Sequence, residues 1–181
     1  MKKIVISLVL CLVVSLGAIF IASTKNESAS TASASAYLRI HIRANSNSDE
    51  DQTVKLAVKE RIVDFLTPVV ARCETLEQAH AEIKRNLNNI ESVANNELAR
   101  QGFSYLAHAR LNDEFFPTRA YGEVVLDEGL YDALIVELGQ GIGNNWWCVV
   151  YPPLCFIGAE GSGTGVVYKS KIVEIINKFF S

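Results

Sequence analysis

The chain has 181 residues, a formal net charge of −3 and 49% hydrophobic residues. This length leaves room for one domain with a proper hydrophobic core. The sequence contains no basic cluster of the kind that nucleic-acid binding needs, so we expect no nucleic-acid partner.

The N-terminus carries the pattern of an export signal. Met1-Lys2-Lys3 is a short basic start, and residues 4–22 follow without a charge, as in a signal peptide. The apolar run is also just long enough to span a bilayer, which needs about 20 apolar residues. Residues 1–22 are therefore predicted to be a cleaved signal peptide or an uncleaved signal-anchor helix, which would tether the chain to a membrane through residues 4–22. By the positive-inside rule, the rest of the chain lies outside the cytoplasm in both cases.

A linker rich in Ser and Ala, residues 23–36, follows the export signal. Residues 37–181 are predicted to form a single extracytoplasmic α+β domain. Residues 1–36 contain three lysines and one glutamate, which leaves the domain with a formal charge of −5. This balance is typical of an acidic ectodomain.

The domain opens with a predicted strand and helix. Apolar and polar residues alternate in residues 37–43, which indicates a strand with one solvated face. Ser48 is a good N-cap, and residues 49–51 place negative charge at the positive end of the helix that follows. Pro68 is expected to end this helix at about Leu66.

A second helix is predicted from its N-cap, Thr75, to Gly102. Gln78 completes a capping box with Thr75, and Gly102 has the usual position after a helix end. We interpret the apolar stripe of this helix as core packing. The stripe consists of Leu76, Ala79, Ile83, Leu87, Ile90, Ala94 and Leu98.

The rest of the domain alternates with a period of two, which predicts strands. The predicted order is a strand at 104–111, a loop at 112–119, strands at 121–126 and 132–138 joined by a hairpin turn at 127–129, a strand at 146–151, and a closing helix at 169–180. The fold class is α+β, with an antiparallel sheet and helices packed on one of its faces.

Thiol catalysis is the enzymatic alternative. A cysteine hydrolase needs a thiolate and a base within reach. Cys148 or Cys155 would supply the thiolate, and His41, His80 or His108 the base. However, two cysteines on either side of a diproline loop favour a bond to each other, and His41 and His108 lie on an apparently polar strand face. We therefore predict no catalytic residues and keep an exported thiol-dependent hydrolase as the alternative.

No metal or cofactor is predicted. The sequence has no C-x-x-C or H-x-x-x-H spacing. Gly139, Gly141 and Gly143 superficially resemble a phosphate loop. The residues after them are strand-like, so no helix N-terminus is available to hold a pyrophosphate.

Residues 141–156 concentrate scarce residue types, with both tryptophans, two of the four cysteines and two of the four prolines. We predict a recognition surface, because Trp and Tyr dominate binding hot spots and a stiff loop costs less to order. Adjacent strand residues point to opposite faces, so at most one of the two tryptophans can cap the core as a regular strand residue. The predicted partner-binding residues are Trp146, Trp147, Tyr151, Pro152, Pro153 and Phe156.

The cysteines of this segment suggest a structural crosslink. Cys148 and Cys155 enclose a short loop and are predicted to form a disulfide, which exported proteins can keep. Two buried free thiols are the alternative. Cys73 lies in a helical context and is expected to be a small core residue.

Several stretches carry a family resemblance. They are Tyr37-Leu38-Arg39 with Ala44-Asn45-Ser46, Asp51-Gln52 with Lys55-Leu56, Phe116-Pro117 with Tyr121-Gly122, the link Gly139-Gln140-Gly141, and Asn145-Trp146-Trp147-Cys148-Val149 with Pro152-Pro153-Leu154-Cys155-Phe156. Together with residues 166–180, they resemble the stage II sporulation protein R family of endospore-forming bacteria. The resemblance spans nearly the whole ectodomain, although Tyr151 stands where the family more often has Phe.

The resemblance implies a signalling role. Proteins of this family are made in the forespore and exported into the space between forespore and mother cell. There they activate a membrane-embedded aspartic protease, the sigma-E processing peptidase, which cleaves the precursor of sigma-E. The protein would then be a signal and not an enzyme. A passive envelope or spore-coat component is the third interpretation.

Overall fold

The structure is a computed structural model that describes residues 34–121 and 124–153. A short 3-10 turn at Ala34–Ala36 precedes the first strand. The elements that follow are β1 (Leu38–Arg43), α1 (Asp49–Val70), α2 (Leu76–Arg85), α3 (Leu87–Arg100), β2 (Ala107–Phe116), β3 (Arg119–Tyr121), β4 (Val124–Leu126), β5 (Gly129–Leu138) and β6 (Asn145–Tyr151). The predicted export signal at 1–22 and the predicted closing helix at 169–180 lie outside the described residues.

Within residues 34–121 and 124–153, no helix combines the length and the apolar character that crossing a membrane requires.

The main sheet is mixed, and the prediction of an antiparallel sheet is wrong. Its strand order is β2-β5-β1-β6, and β1 pairs with β5 in parallel. The other two pairings, β2 with β5 and β1 with β6, are antiparallel. A parallel pair needs a long crossover connection, and the helical layer between β1 and β5 supplies it. The α+β class itself is confirmed.

The three α-helices of the described residues pack on one face of this sheet, here called the helix face, as predicted for them. Leu38, Ile40 and Ile42 of β1 share a buried core with apolar residues of α1, α2 and α3. The predicted apolar stripe of the second helix contributes Ala79, Ile83, Ile90, Ala94 and Leu98 to that core.

The opposite face is buried too, which contradicts the prediction of a solvated strand face. Arg39 is 0% exposed and His41 is 1% exposed. They lie in an aromatic face, which we define by Tyr37, Phe116, Tyr131 and Trp147 together with their apolar neighbours. The paired strands β3 and β4 form a hairpin whose Tyr121 and Leu126 pack on this face.

Arg39 holds the hairpin against the aromatic face. Its guanidinium carbon lies 4.0 Å from the ring centroid of Phe116 and 4.7 Å from that of Tyr131. Its Nη2 donates a hydrogen bond of 2.7 Å to the Tyr121 hydroxyl. Burial lowers the pKa of Arg39, and Tyr121 acts in the opposite direction. Among the described residues, no carboxylate pairs with this cation, so ring faces and one hydroxyl replace its water.

Two helix boundaries differ from the prediction. The helix α1 starts at the predicted N-cap, where the Ser48 hydroxyl accepts from the Asp51 N–H, but it continues through Pro68 to Val70. Pro68 removes only the hydrogen bond to the carbonyl of Asp64, an exposed residue on the last turns, where water can serve that carbonyl.

The predicted second helix is two helices that meet at Asn86. The Asn86 side chain donates to the carbonyl of Glu82 at 2.8 Å, and its backbone leaves helical geometry with φ −101° and ψ 7°. An Asn side chain competes with the backbone in this way. The predicted end is confirmed: Gly102 has φ +83°, and the Phe103 N–H donates to the Leu98 carbonyl at 3.0 Å, which closes a Schellman motif.

The strand assignments after residue 104 are partly wrong. Residues 112–116 were expected in a loop, but β2 runs to Phe116 because it pairs with β5 over its full length. Residues 121–126 do not form one strand, since Arg119–Tyr121 and Val124–Leu126 pair with each other. Residues 127–128 connect β4 to β5 of the main sheet, and residue 129 already belongs to β5, so 127–129 is not a hairpin turn.

We expect Tyr121→Phe to lower the free energy of unfolding by about 2 kcal/mol, because it removes the acceptor for a buried guanidinium. In an Arg39→Met background, the same change should cost about 0.5 kcal/mol or less. Chemical denaturation of the four proteins of this cycle measures both values. An equal loss in the two backgrounds would contradict the role given to this hydrogen bond.

Candidate functional site

The two tryptophans lie on opposite faces of β6, as the alternation of a strand requires. Trp146 is paired with Ile42 and packs against the helix-face core, with Lys59 Nζ 5.8 Å from its ring centroid. Trp147 is paired with His41 and belongs to the aromatic face. Both side chains are half-buried, so each of them packs on protein and also reaches solvent.

Trp147 covers His41 directly. The two rings are stacked with centroids 3.6 Å apart. Phe116 meets Trp147 edge-on at 4.7 Å and His41 at 6.0 Å. These contacts place the part-exposed tryptophan over a buried histidine in the middle of the sheet.

The remaining predicted partner-binding residues are less accessible. Tyr151 is 2% exposed, and Pro152 and Pro153 are buried. Phe156 lies outside the described residues. A partner that meets the described part of this segment as it stands reaches the tryptophans first. Whether any of these residues binds a partner stays a prediction.

The cysteines occupy the helix face. Cys148 is paired with Ile40 and is 7% exposed. Its predicted partner Cys155 lies outside the described residues, so the disulfide stays a prediction. Cys73 is free and 2% exposed, in the small core position expected for it, and burial raises the pKa of its thiol.

The strand geometry separates Cys148 from two of its candidate bases. Cys148 packs in the helix-face core, whereas His41 points to the aromatic face. His108 alternates with the core residues Ala107 and Ala109 on β2, so it also points away from that core. His80 is on α2, with Nε2 3.3 Å from Asp132 Oδ2. Cys148 therefore lies on the opposite face of the sheet from His41 and His108, and the sheet separates its thiol from both rings.

A network of ion pairs continues the aromatic face towards the carboxyl end of β1. Arg43 donates to Glu114 and to Glu137 at 2.7 Å each, and Arg110 also pairs with Glu137. The hydrogen bond from Arg110 is the main cause that holds the pKa of Glu137 below its ordinary value. His41 Nδ1 lies 4.0 Å from Glu114 Oε1, where the ion-pair network meets the aromatic face.

Two loops meet at the same edge of the sheet. Because β1 and β5 are parallel, their carboxyl ends lie side by side, the position where α/β sheets commonly bind ligands. Residues 44–48 connect β1 to α1, and residues 139–144 connect β5 to β6. We call the hydrogen-bonded pair of loops the loop clamp.

Asp51 is the centre of the first half of the clamp. It is 5% exposed and accepts hydrogen bonds from Asn45 Nδ2 at 2.8 Å, the Ser46 hydroxyl at 2.6 Å and the Tyr105 hydroxyl at 2.6 Å. Burial alone would raise the pKa of Asp51, but the hydrogen bonds from Ser46, Tyr105 and Asn45 lower it below its ordinary value. Both oxygens of this carboxylate are therefore hydrogen-bonded, one to the loop after β1 and the other to Tyr105, which lies between α3 and β2.

The second half of the clamp is held mainly through its backbone. The Gly143 N–H donates to the Ala44 carbonyl at 2.9 Å, and the Asn144 N–H donates to Asn47 Oδ1 at 2.7 Å. The buried ammonium of Lys55 donates to the Asn144 carbonyl at 2.9 Å and to Gln52 Oε1 at 2.7 Å. Thus α1, the loop after β1 and the loop after β5 form one hydrogen-bonded unit.

Sequence reasoning missed this clamp. Residues 45–48 were expected as a loop, residues 49–51 as a helix-capping cluster and residues 139–143 as a flexible link. The available signal was a polar run after a strand together with closely spaced glycines. Within the described ranges, no three His, Cys, Asp or Glu side chains are grouped to hold a metal ion.

The comparison with protein families decides the identity. The model of the family "Stage II sporulation protein R (spore_II_R)" matches residues 34–161. The chain belongs to the stage II sporulation protein R family. The resemblance noted in the sequence is thereby confirmed. The loop clamp, both tryptophans and Arg39 all lie inside the part that matches the stage II sporulation protein R family.

A curated relative agrees with this family. The stage II sporulation protein R of Bacillus subtilis (strain 168) is 32% identical over 106 residues, which cover 59% of this chain and 47% of that protein. The match thus spans about half the length of the relative. No solved structure matches the chain.

We expect Gly143→Ala to lower the free energy of unfolding by about 2–3 kcal/mol. A Cβ at this position would lie 2.1 Å from the backbone oxygen of Ser46, so the two loops would have to separate. Gly102→Ala is the matched control, because its φ is +83° but nothing lies within 4 Å of the added carbon. It should cost about 1 kcal/mol. Thermal or chemical unfolding measures both, and equal losses would argue against the clamp.

We expect acid to destabilise the domain through His41. Burial lowers the pKa of His41 from 6.5 to about 4, so the unfolded chain binds the proton more readily. The stability from the neutral ring is fully present above about pH 6.5 and is lost as the pH falls towards 4. The free energy of unfolding should decrease by an amount on the order of 2–3 kcal/mol between these two pH values. Urea denaturation across this range should give a shallower pH slope for His41→Gln than for wild type.

His108→Gln is the control for this pH dependence, because the His108 side chain is 71% exposed. It should keep the wild-type slope between pH 4 and pH 6.5. If wild type and His41→Gln have the same slope, the acid sensitivity comes from other groups.

Proposed function

We propose that this protein is an exported sporulation signal that activates a membrane-embedded aspartic protease, the sigma-E processing peptidase. In this proposal it acts in the space between forespore and mother cell, and processing of the sigma-E precursor follows in the mother cell. It is secreted or held at the membrane through residues 4–22, and it performs no catalysis itself.

Membership of the stage II sporulation protein R family carries this proposal. The arrangement of the described residues is compatible with a binding role. One face of β6 packs on the helix-face core and the other on the aromatic face, so Trp146 and Trp147 each rest on buried neighbours. A pre-ordered aromatic side chain binds a partner with little loss of conformational entropy.

Reconstitution tests the activity itself. The full-length chain, the protease and the sigma-E precursor are expressed together in a non-sporulating host, with the chain directed to the extracytoplasmic side. Precursor processing, measured on immunoblots, should require the chain. Equal processing with and without it would refute the proposal and would favour a passive envelope or spore-coat component.

A comparison of single variants tests the tryptophan surface. We expect Trp146→Ala and Trp147→Ala each to destabilise the fold by about 2 kcal/mol, because half of each ring is buried. At least one of them should also reduce processing about tenfold or more, equivalent to about 1.4 kcal/mol of lost contact energy. The buried Ile83→Val is the control, since it removes about 1 kcal/mol of stability without touching the surface. Processing that simply follows stability in all three variants would exclude both tryptophans from the contact.

The thiol-dependent hydrolase is the alternative. It requires Cys148→Ser or Cys155→Ser to abolish an activity while the fold is retained. In our proposal both cysteines are structural, so the two substitutions should lower the melting temperature by similar amounts.

A further inference from the structure

The strand β2 forms one edge of the main sheet, and its hydrogen bonding alternates. The Gly139 N–H donates to the Leu106 carbonyl at 2.9 Å, immediately before β2 begins. In an antiparallel pair, hydrogen-bonded and non-hydrogen-bonded residues alternate. The backbone groups of even-numbered β2 residues are therefore hydrogen-bonded to β5. The N–H and C=O groups of odd-numbered β2 residues point away from β5, towards the open edge of the sheet.

The first outward groups are covered by α3. The Ala107 N–H donates to Asn95 Oδ1 at 2.7 Å, and the Ala109 N–H donates to Glu91 Oε1 at 2.8 Å. Beyond this point the covering ends. Within residues 34–121 and 124–153, the outward backbone groups of Leu111, Asp113 and Phe115 have no partner. We call residues 111–115 the free edge.

Exposed apolar side chains lie beside the free edge. Phe115 is 55% exposed, and Leu130, opposite it on β5, is 66% exposed. Both belong to the helix face but lie past its core. Exposed apolar side chains that border an unpaired strand form a template for strand addition.

Two carboxylates lie next to each other at the free edge, and one of them, Asp132, already has the His80 ring at 3.3 Å. Asp113 and Asp132 are directly opposite each other, in the closer, non-hydrogen-bonded type of pair. Burial raises the pKa of Asp132, and Asp113 raises it further, whereas His80 acts in the opposite direction. Asp113 has no ion pair with any described residue. Like charges in this arrangement are destabilising, so an added cation would relieve their repulsion.

We propose that the free edge binds an extended segment of a partner protein by strand addition, with a basic residue opposite Asp113 and an apolar residue two positions away opposite Phe115. The two side chains share one face because the period of a strand is two. Backbone hydrogen bonds would supply affinity, and the charge and apolar contacts would supply specificity. This goes beyond the activation of a protease, because it defines the partner's chemistry whichever protein supplies the segment.

The negative charge of Asp113 favours a basic segment of a partner protein over a second copy of this chain. Two copies that pair antiparallel over the whole free edge would place Asp113 opposite its own counterpart. That register adds a like-charge contact to the existing Asp113–Asp132 pair, which is unfavourable. A basic segment meets the same groups with the opposite sign.

A designed peptide tests the proposal with the full-length chain in detergent micelles. The probe is a blocked, fluorescently labelled peptide, Thr-Val-Thr-Lys-Thr-Val-Thr, which sets Val, Lys and Val on one face. Fluorescence anisotropy should give saturable binding, about tenfold weaker when Glu replaces Lys and lost when alternate backbone nitrogens are methylated. Asp113→Lys should reverse the preference between the Lys and Glu peptides.

Two side-chain variants provide a matched comparison. Phe115→Ser should weaken binding of the Lys peptide about fivefold by removing apolar contact. Ile142→Ser changes a side chain that is 72% exposed in the loop clamp and should leave binding unchanged. Equal affinities of the two variants would overturn the proposed contact at Phe115.

Amide hydrogen exchange gives a residue-specific result. Before peptide is added, the N–H groups of Leu111, Asp113 and Phe115 should exchange fast, and those of Asn112 and Glu114 slowly. The peptide should slow the first set only.

Three results would overturn the proposal. The first is a peptide titration that shows no saturable binding up to about 1 mM. The second is a methylated peptide that binds as tightly as the unmethylated one. The third is protection of the odd-numbered amides of the free edge that increases with protein concentration in the absence of peptide. The last would identify a second copy as the occupant. None of these assays contains the protease, so failure here leaves the activation assay as an independent result.

Discussion

The parallel pairing of β1 with β5 is the constraint on which the rest of the structure depends. It places β1 in the interior of the sheet, with β5 on one side and β6 on the other. A central strand that is covered on both faces has no solvated positions for its polar side chains. Arg39 and His41 are buried for this reason, and aromatic rings pack directly against both of them.

The same pairing creates the loop clamp. Since β1 and β5 end at one edge, the loops that follow them meet there, and Asp51 and Lys55 of α1 bind one loop each. The clamp then sets where β6 begins, and β6 presents Trp146 and Trp147 on its two faces. The tryptophans are thus positioned by a parallel pair of strands to which they do not belong.

The sequence predicts local structure well and long-range pairing poorly. Ser48, Thr75 and Gly102 act where expected, because capping depends on residues within one turn. The alternation in residues 37–43 correctly predicts a strand, but the solvated face that it also predicts is wrong. Nothing local distinguishes a solvated Arg39 from one that is enclosed by Phe116 and Tyr131, residues far away in the chain. The parallel register, and with it the clamp, depends on such distant residues and could not be read from spacing.

In the loop clamp, the groups that form the hydrogen bonds are different from the side chains that are exposed to solvent. At residues 140, 143 and 144 its contacts run through backbone groups, which meet the side chains of Asn45, Asn47 and Lys55 and the backbone carbonyl of Ala44. The side chains of Gln140, Ile142 and Asn144 point to solvent without a part in that hydrogen bonding. The side chains at these three positions can therefore be substituted without removing a hydrogen bond of the loop clamp.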